Sequence, residues 1–191
     1  GAERRRLSRD LPRERRHRVL CGASPGEQVV FKYTSVNRKF DEAYVEEVLE
    51  ASEDRVEPGC PHFQICGGCS MQHMAVENQI HHKQKAMLDA LTHIGKVTPE
   101  TVFEPMIGEH WGYRRKARLG VRHVRKKNKV LVGFRERSGG FLADIDSCKV
   151  LHPSVGEKLV DFQNLIIRME AKETIPQVEV AVGDNATALV F

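Results

Sequence analysis

The stretch Cys60-Pro61-His62-Phe63-Gln64-Ile65-Cys66-Gly67-Gly68-Cys69 decides how the rest of this chain is read. It sets three thiols on one short loop in the pattern C-x5-C-x2-C, and a fourth follows after 78 intervening residues at Cys148. A packed core has no use for three thiols in ten residues, whereas a soft metal centre does. Thiolates are the ligands that iron–sulfur clusters and tetrahedral zinc select, and four of them complete the shell. The Gly67-Gly68 pair allows the backbone to turn tightly around a bulky centre without a Cβ clash. Pro61 stiffens the first turn, and Gly59 frees the entry to it.

Two other readings compete. A disulfide framework is disfavoured, because 191 residues suffice for a core and no signal peptide is visible. A structural zinc site is the stronger competitor, but zinc ribbons pair two C-x2-4-C knuckles. Here there is one knuckle, Cys66/Cys69, with a wider five-residue gap and a distant cysteine. That three-plus-one pattern favours a [4Fe–4S] cluster and leaves zinc as the alternative. His62, His73, His81, His82 and His93 lie nearby in sequence, but four thiols already fill the shell, so they read as surface or supporting residues. Phe63 and Ile65 are expected to form a dry wall around the centre. Asp144 and Asp146, beside Cys148, read as turn residues rather than an acid pair.

Composition describes a globular protein, 40% hydrophobic and 29% charged, with no stretch long enough to span a membrane. Reduced-thiol usage without a targeting segment predicts a cytoplasmic location. The net charge of +4 is modest but unevenly spread. Between residues 113 and 137 there are eleven lysines and arginines and a single acid, Glu136. These cations are interleaved with strand-like apolar positions (Ala117, Leu119, Val121, then Val130, Leu131, Val132, Phe134) beside Trp111 and Tyr113. A solvated face is the plain explanation of such a run. Basic strands flanked by aromatics also form an electrostatic footprint for nucleic acid, with phosphate contacts supplying affinity and rings stacking bases. Arg114, Arg115, Lys116, Arg118, Arg122, Lys126, Lys127 and Arg135 are the candidate RNA contacts. Trp111 suits base stacking and hairpin anchoring equally.

Along the chain, residues 1–24 read poorly: Arg4 to Arg18 shows neither helical nor strand periodicity, and Leu11-Pro12 breaks any helix. Strands are predicted at 27–33 and 40–50, joined by a basic turn, in a small β unit ending near Pro58. Ile80, Met87, Leu88, Leu91 and Ile94 have helical spacing over 75–94, with Gly95 as the stop. A basic hairpin is expected at 115–124 and 130–136, a short strand at 141–145, one helix over 153–169, and a last hairpin at 177–182 and 186–191. The chain stops within an apolar strand, which reads as a piece of something longer.

Taken together, Cys60-Pro61-His62-Phe63, Cys66-Gly67-Gly68-Cys69, Gln72-His73, Trp111-Gly112-Tyr113-Arg114-Arg115-Lys116-Ala117-Arg118-Leu119, Val132-Gly133-Phe134-Arg135 and the lone Cys148 resemble a known family. It is that of the bacterial 23S rRNA (uracil-C5)-methyltransferases of the RlmD (RumA) type, and the resemblance runs from about residue 26 to 191. Cys60, Cys66, Cys69 and Cys148 match the family's [4Fe–4S] ligands one by one. The resemblance implies an α+β protein in two parts. Residues 1–58 would be an OB-like β-barrel, a TRAM domain incomplete at its start because 1–24 are irregular. Residues 59–191 would be a small α/β iron–sulfur domain, truncated at its C-terminus.

It further implies 23S ribosomal RNA as partner, a monomeric protein, and a Rossmann-like domain, outside this chain, that binds S-adenosylmethionine. In that domain a cysteine adds to C6 of an extruded uracil, and C5 then takes the methyl group. This chain shows no glycine-rich cofactor turn, and Cys21, its one thiol outside the four, reads as incidental. No catalytic residue is therefore expected here, and the chain alone is expected to be inactive. A free-standing iron–sulfur or zinc RNA-binding module is the alternative function. An electron-transfer protein is the third possibility, and the basic surface suits it least.

Overall fold

The computed structural model describes residues 6–7, 17–36, 38, 40–137 and 139–191. The chain divides into two compact units: Gly1–Gly59 with Ser70–Phe103, and Cys60–Cys69 with Glu104–Phe191. The ten-residue cysteine loop thus belongs to the second unit while the residues on both sides of it group with the first. This grouping differs from a simple boundary near residue 58, because 70–103 joins the β unit instead of the later part of the chain.

The first unit is built on a four-stranded sheet in the order β1-β3-β4-β2, from β1 (Arg6–Leu7), β2 (His17–Cys21), β3 (Gln28–Val36) and β4 (Phe40–Glu50). β3 and β4 are antiparallel, and register irregularities at Gln28/Val29, Val30/Phe31 and Tyr33/Ser35 bend them against each other. Alternation along both strands turns Val29, Phe31 and Ala43 inward, where Leu20, Tyr33, Val45 and Val48 pack on them. β2 is a correction: it pairs in parallel with β4 from His17↔Phe40 to Cys21↔Tyr44, although His17-Arg18-Val19-Leu20-Cys21 lacks strand alternation. Pairing to an ordered neighbour supplies what local pattern does not. Most of 1–16 lies outside the described residues.

A buried carboxylate ties the loops of this unit together. The Glu27 side chain is fully covered; it accepts from the Ser24 N–H at 2.7 Å and from Arg55 Nη2 at 2.7 Å, while the same Nη2 donates to the Gly22 carbonyl at 2.8 Å. Burial by itself would raise the Glu27 carboxyl, but the hydrogen bonds from Arg55, Ser24 and Ser52 outweigh it and hold it below its ordinary value. The helix α1 (Val76–His93) follows the expected periodicity, anchored by Asn78 Nδ2 donating to Asp54 at 2.7 Å and Gln79 Nε2 donating to the Met74 carbonyl at 2.8 Å. No residue of α1 is buried.

In the second unit, β5 (Lys116–Val124), β6 (Lys129–Gly133), β7 (Gln177–Val182) and β8 (Thr187–Val190) form an antiparallel sheet in the order β6-β5-β7-β8. Strand alternation puts Leu119, Val121, Val130, Val132, Val178 and Val180 on one face, which packs with Leu159 and Ile166 of a covering helix and with Leu151, Val155, Ala143 and Ile145. Gln163, buried on that helix, is satisfied by donating to the Ile145 carbonyl at 2.8 Å.

Two expected elements differ here. The helix over 153–169 is split into α2 (Pro153–Gly156) and α3 (Leu159–Ile167), because Gly156 is drawn against the Cys148 backbone and the chain jogs at Glu157 and Lys158. The strand at 141–145 does not form. Its alternation is real, with Ala143 and Ile145 buried and Asp144 outside, but it makes one bridge, Arg135↔Leu142, before diving toward Cys148. The β5–β6 turn is a single 3-10 turn, Arg125–Lys127, closed by Asn128 in the left-handed region at φ 44°.

Candidate metal centre

The cysteine loop is built from tight local turns. The Phe63 N–H donates to the Cys60 carbonyl at 3.1 Å, and the His62 carbonyl accepts from Ile65 at 3.1 Å and Cys66 at 2.8 Å. Its second half is then stitched to the strand-like segment after β6: the Gly67 N–H donates to the Arg135 carbonyl and the Arg137 N–H to the Ile65 carbonyl, both at 2.8 Å, around the bridge Cys66↔Glu136. The approach is tight at both glycines. A Cβ on Gly67 would lie 3.1 Å from the Arg135 carbonyl oxygen, and one on Gly68 would lie 3.2 Å from the Phe134 ring.

Cys148 reaches the same place from the other direction. Its N–H donates to the Gly156 carbonyl at 2.9 Å, and a Cβ on Gly156 would fall 2.2 Å from the Cys148 carbonyl oxygen. The segment from Trp111 to Arg114 runs alongside: Gly112 donates to the Lys149 carbonyl at 2.8 Å and Arg114 to Val150 at 3.0 Å. His62 Nε2 lies 2.7 Å from Asp146 Oδ1, which also accepts from Ser147 Oγ at 2.8 Å, so a side-chain pair joins the loop to the Cys148 turn. Hydrogen bonding from Ser147, then from His62, holds the Asp146 carboxyl low. Asp146 is thus a connector, and Asp144, ion-paired with Lys129, is not its partner.

All four cysteines carry free thiols, and the fold brings them within electrostatic reach of one another. Burial pushes the Cys66 thiol up; the Gly68 N–H, 3.4 Å from its sulfur, opposes this, and Cys148, Cys69 and Cys60 add to it. Burial likewise raises Cys148, opposed by N–H groups of Leu151 and Val150 directed at its sulfur and reinforced by Cys69 and Cys60. Backbone donors aimed at half-buried sulfurs suit thiolates better than thiols, and such hydrogen bonds accompany iron–sulfur ligation. No three His, Cys, Asp or Glu side chains among the described residues converge tightly enough to share one ion. Four thiols are the kind of donor set that a soft centre, cluster or zinc, selects.

The walls of the centre differ from expectation in two places. Phe63 is buried, but Ile65 is 53% exposed. The ring that faces Gly68 is Phe134, and the Arg114 guanidinium carbon lies 5.7 Å from the centroid of that ring. Arg137 belongs to the centre as well, although in sequence it is one more cation of the basic run and nothing in its neighbours marks it out. Its Nη2 donates to the carbonyls of Phe63 (2.9 Å) and Cys69 (2.8 Å), and its guanidinium stacks over the Phe63 ring at 4.4 Å.

The basic face is more mixed than its sequence. Arg118 pairs with Glu179 at 2.9 Å, Arg115 with Asp184 at 3.2 Å, and Arg125 with Glu173. Arg135 Nη1 donates to the Gly140 carbonyl at 2.7 Å. Lys116, Arg122, Lys126 and Lys127 form no ion pair among the described residues and are exposed. Of the eight candidate RNA contacts, these four therefore present unneutralised charge, and Arg114, Arg115, Arg118 and Arg135 are already engaged. Trp111 is 42% exposed and has Lys149 Nζ 5.7 Å over its ring. No helix among the described residues is long and apolar enough to cross a membrane.

No protein-family model matches the chain. Its fold is shared with an RNA (uracil-C5)-methyltransferase: it aligns with the structure of Pyrococcus abyssi tRNA (uracil-54, C5)-methyltransferase, solved in complex with S-adenosyl-L-homocysteine. The TM-score is 0.58 over 90% of this chain and 40% of that one, at 20% identity. The sequence comparison is more specific. The chain is 49% identical over 170 residues to the 23S rRNA (uracil(1939)-C(5))-methyltransferase RlmD of Alkalilimnicola ehrlichii, covering 89% of this chain and 38% of the relative. It is 51% identical over 168 residues to the RlmD of Francisella tularensis subsp. novicida, covering 87% and 37%. The chain is a homologue of the RlmD-type 23S rRNA (uracil-C5)-methyltransferases, and it spans less than two fifths of the length of these relatives.

Proposed function

We propose that this chain is the RNA-recognising and iron–sulfur-bearing portion of an S-adenosylmethionine-dependent enzyme that methylates C5 of a uridine in 23S ribosomal RNA, acting as a cytoplasmic monomer. The observation that carries the reading is the meeting of Cys60, Cys66, Cys69 and Cys148 in one unit, with backbone N–H groups directed at the sulfurs, in a chain about half identical to RlmD proteins. These four cysteines would hold a [4Fe–4S] cluster. Bound there, it would supply a cross-link between the loop and the Cys148 turn, with its potential open to tuning by the surrounding hydrogen bonds.

The chain's own residues are assigned to binding. Lys116 and Arg122 project from the open face of β5, with Lys126 and Lys127 at its hairpin tip, and these would contact phosphates. Arg114, Arg115, Arg118 and Arg135 would join them by exchanging their present partners for phosphate. Residues 1–191 by themselves would transfer no methyl group, since the exposed Cys21 on β2 is the sole thiol outside the set of four. Anaerobically prepared protein is expected to carry about four iron and four sulfide per chain. Its affinity for a 23S rRNA fragment is expected to fall steeply with salt. Stoichiometric zinc without sulfide, or binding indifferent to salt, overturns the corresponding half of the reading.

A further inference from the structure

Arg137 stands apart from the other cations of the basic segment. Arg115, Arg118 and Arg125 face acids at an exposed surface, whereas Arg137 is half-buried and turned onto the cysteine loop. One nitrogen, Nη2, donates to two carbonyls six residues apart, those of Phe63 and Cys69, which bracket Cys66. The guanidinium carbon lies over the Phe63 ring, 4.4 Å from its centroid, and the Arg137 main-chain N–H donates to the Ile65 carbonyl. These contacts add to the main-chain bond from Gly67 to Arg135 and the His62–Asp146 pair, and they hold the two carbonyls on either side of Cys66 through one side chain.

We infer that Arg137 is a positioning residue for the four-thiol centre: it clamps the loop so that Cys60, Cys66 and Cys69 face Cys148 before any metal arrives. A planar fork with delocalised charge can stack on a ring and donate along its edge at once, and a lysine ammonium cannot do both. The inference rests on the reading that the four cysteines share one centre. It does not rest on which metal they hold.

The test uses the full chain, prepared anaerobically, as wild type, Arg137→Met, Arg137→Lys and, as a control of equal charge change, Arg125→Met. Three quantities are read: iron and sulfide per chain, the rate at which a chelator removes the metal, and amide hydrogen exchange of residues 60–69 in the stripped protein. Arg137→Met is expected to release metal about tenfold faster or more, guided by the roughly 10–100-fold loss of metal affinity or activity when groups supporting metal ligands are removed. Arg137→Lys should fail to restore the rate and should itself retain the fold if the methionine variant does not. Both should exchange loop amides faster than wild type, and Arg125→Met should match wild type throughout.

Release at the wild-type rate from Arg137→Met, or full rescue by lysine, overturns the inference while leaving the four-thiol centre standing. If the wild type carries zinc instead of iron and sulfide, the iron–sulfur reading falls. The same comparison of zinc release then decides Arg137: faster release supports the clamp, equal release rejects it. A wild type that binds neither metal overturns both readings together.

Discussion

The Cys60–Cys69 loop and the basic β5–β6 hairpin lie in the same compact unit and obey opposite logic. In the loop, side-chain identity carries the chemistry: a thiol is a soft donor wherever it sits, and the fold's task is to bring it within reach of three others. In the hairpin, side-chain identity carries only potential. An arginine facing Glu179 or Asp184 presents a dipole to an RNA, whereas Lys126 at the hairpin tip presents a charge. Candidate metal ligands can therefore be proposed from spacing, while candidate phosphate contacts depend on which acids the fold returns to the same surface.

The largest effect expected from this contrast falls on the distant ligand. Cys148→Ser should abolish iron and sulfide binding as completely as Cys66→Ser, despite its separation in sequence, as measured by metal and sulfide analysis. A fully loaded Cys148→Ser protein would remove it from the ligand set. The next effect tests whether the backbone around Cys148 matters as much as its sulfur. Gly156→Ala would drive a Cβ into the Cys148 carbonyl, 2.2 Å away, with no flexible side chain to yield. The expected cost is about 1–3 kcal/mol of stability by denaturant titration, together with weaker metal retention. A neutral result would mean that α2 shifts freely and that the Cys148 turn is not fixed by packing.

The hairpin side of the comparison is sharpened by splitting its charges. Glutamine at Lys116, Arg122, Lys126 and Lys127 together should flatten the dependence of log affinity on log salt by about one unit for each phosphate no longer neutralised. The same substitution at Arg115 and Arg118 should change it less, because each already has an acidic partner. Equal effects would show that the ion pairs open on binding and that the sequence alone is an adequate guide to the RNA-facing cations.

A smaller, pH-dependent effect concerns the Glu27–Arg55 pair of the other unit. The folded Glu27 carboxyl sits below its ordinary value of 4.5, so its contribution is fully present above that pH and fades as pH falls through the folded value. Glu27→Gln should remove about 1–3 kcal/mol at neutral pH, since it leaves part of a covered network unpaired, and nearly nothing in acid. Stability curves of the two proteins that stay parallel down through the acid range would assign the effect to packing.

Much of the β-structure was legible from period-2 alternation: β3, β4, the β5–β6 hairpin and the β7–β8 hairpin all appear where apolar and polar residues alternate. α1 was equally legible, though its apolar stripe does not produce a buried face. Three features were not. β2 forms because β4 offers it an edge, which no local pattern encodes. Residues 141–145 alternate like a strand but make one bridge with 134–136 before the chain turns to deliver Cys148. The helix over 153–169 breaks because Gly156 must admit a carbonyl from another segment.

By itself, then, the sequence determined the candidate donor set, the strand and helix periods, and the likeness to RNA uracil-C5 methyltransferases, since each depends on residue type and spacing along the chain. Tertiary structure alone decided which cations keep their charge, that Ile65 faces outward while Phe134 faces the loop, and that Arg137 grips the loop instead of facing solvent. The physical reason is one of range. Ligand chemistry and backbone period are local properties of a few neighbouring residues. Charge neutralisation, burial and close backbone approach are set by partners far along the chain, 61 residues away for Arg118 with Glu179 and 74 for Arg137 with Phe63, and these meet only when the chain has folded.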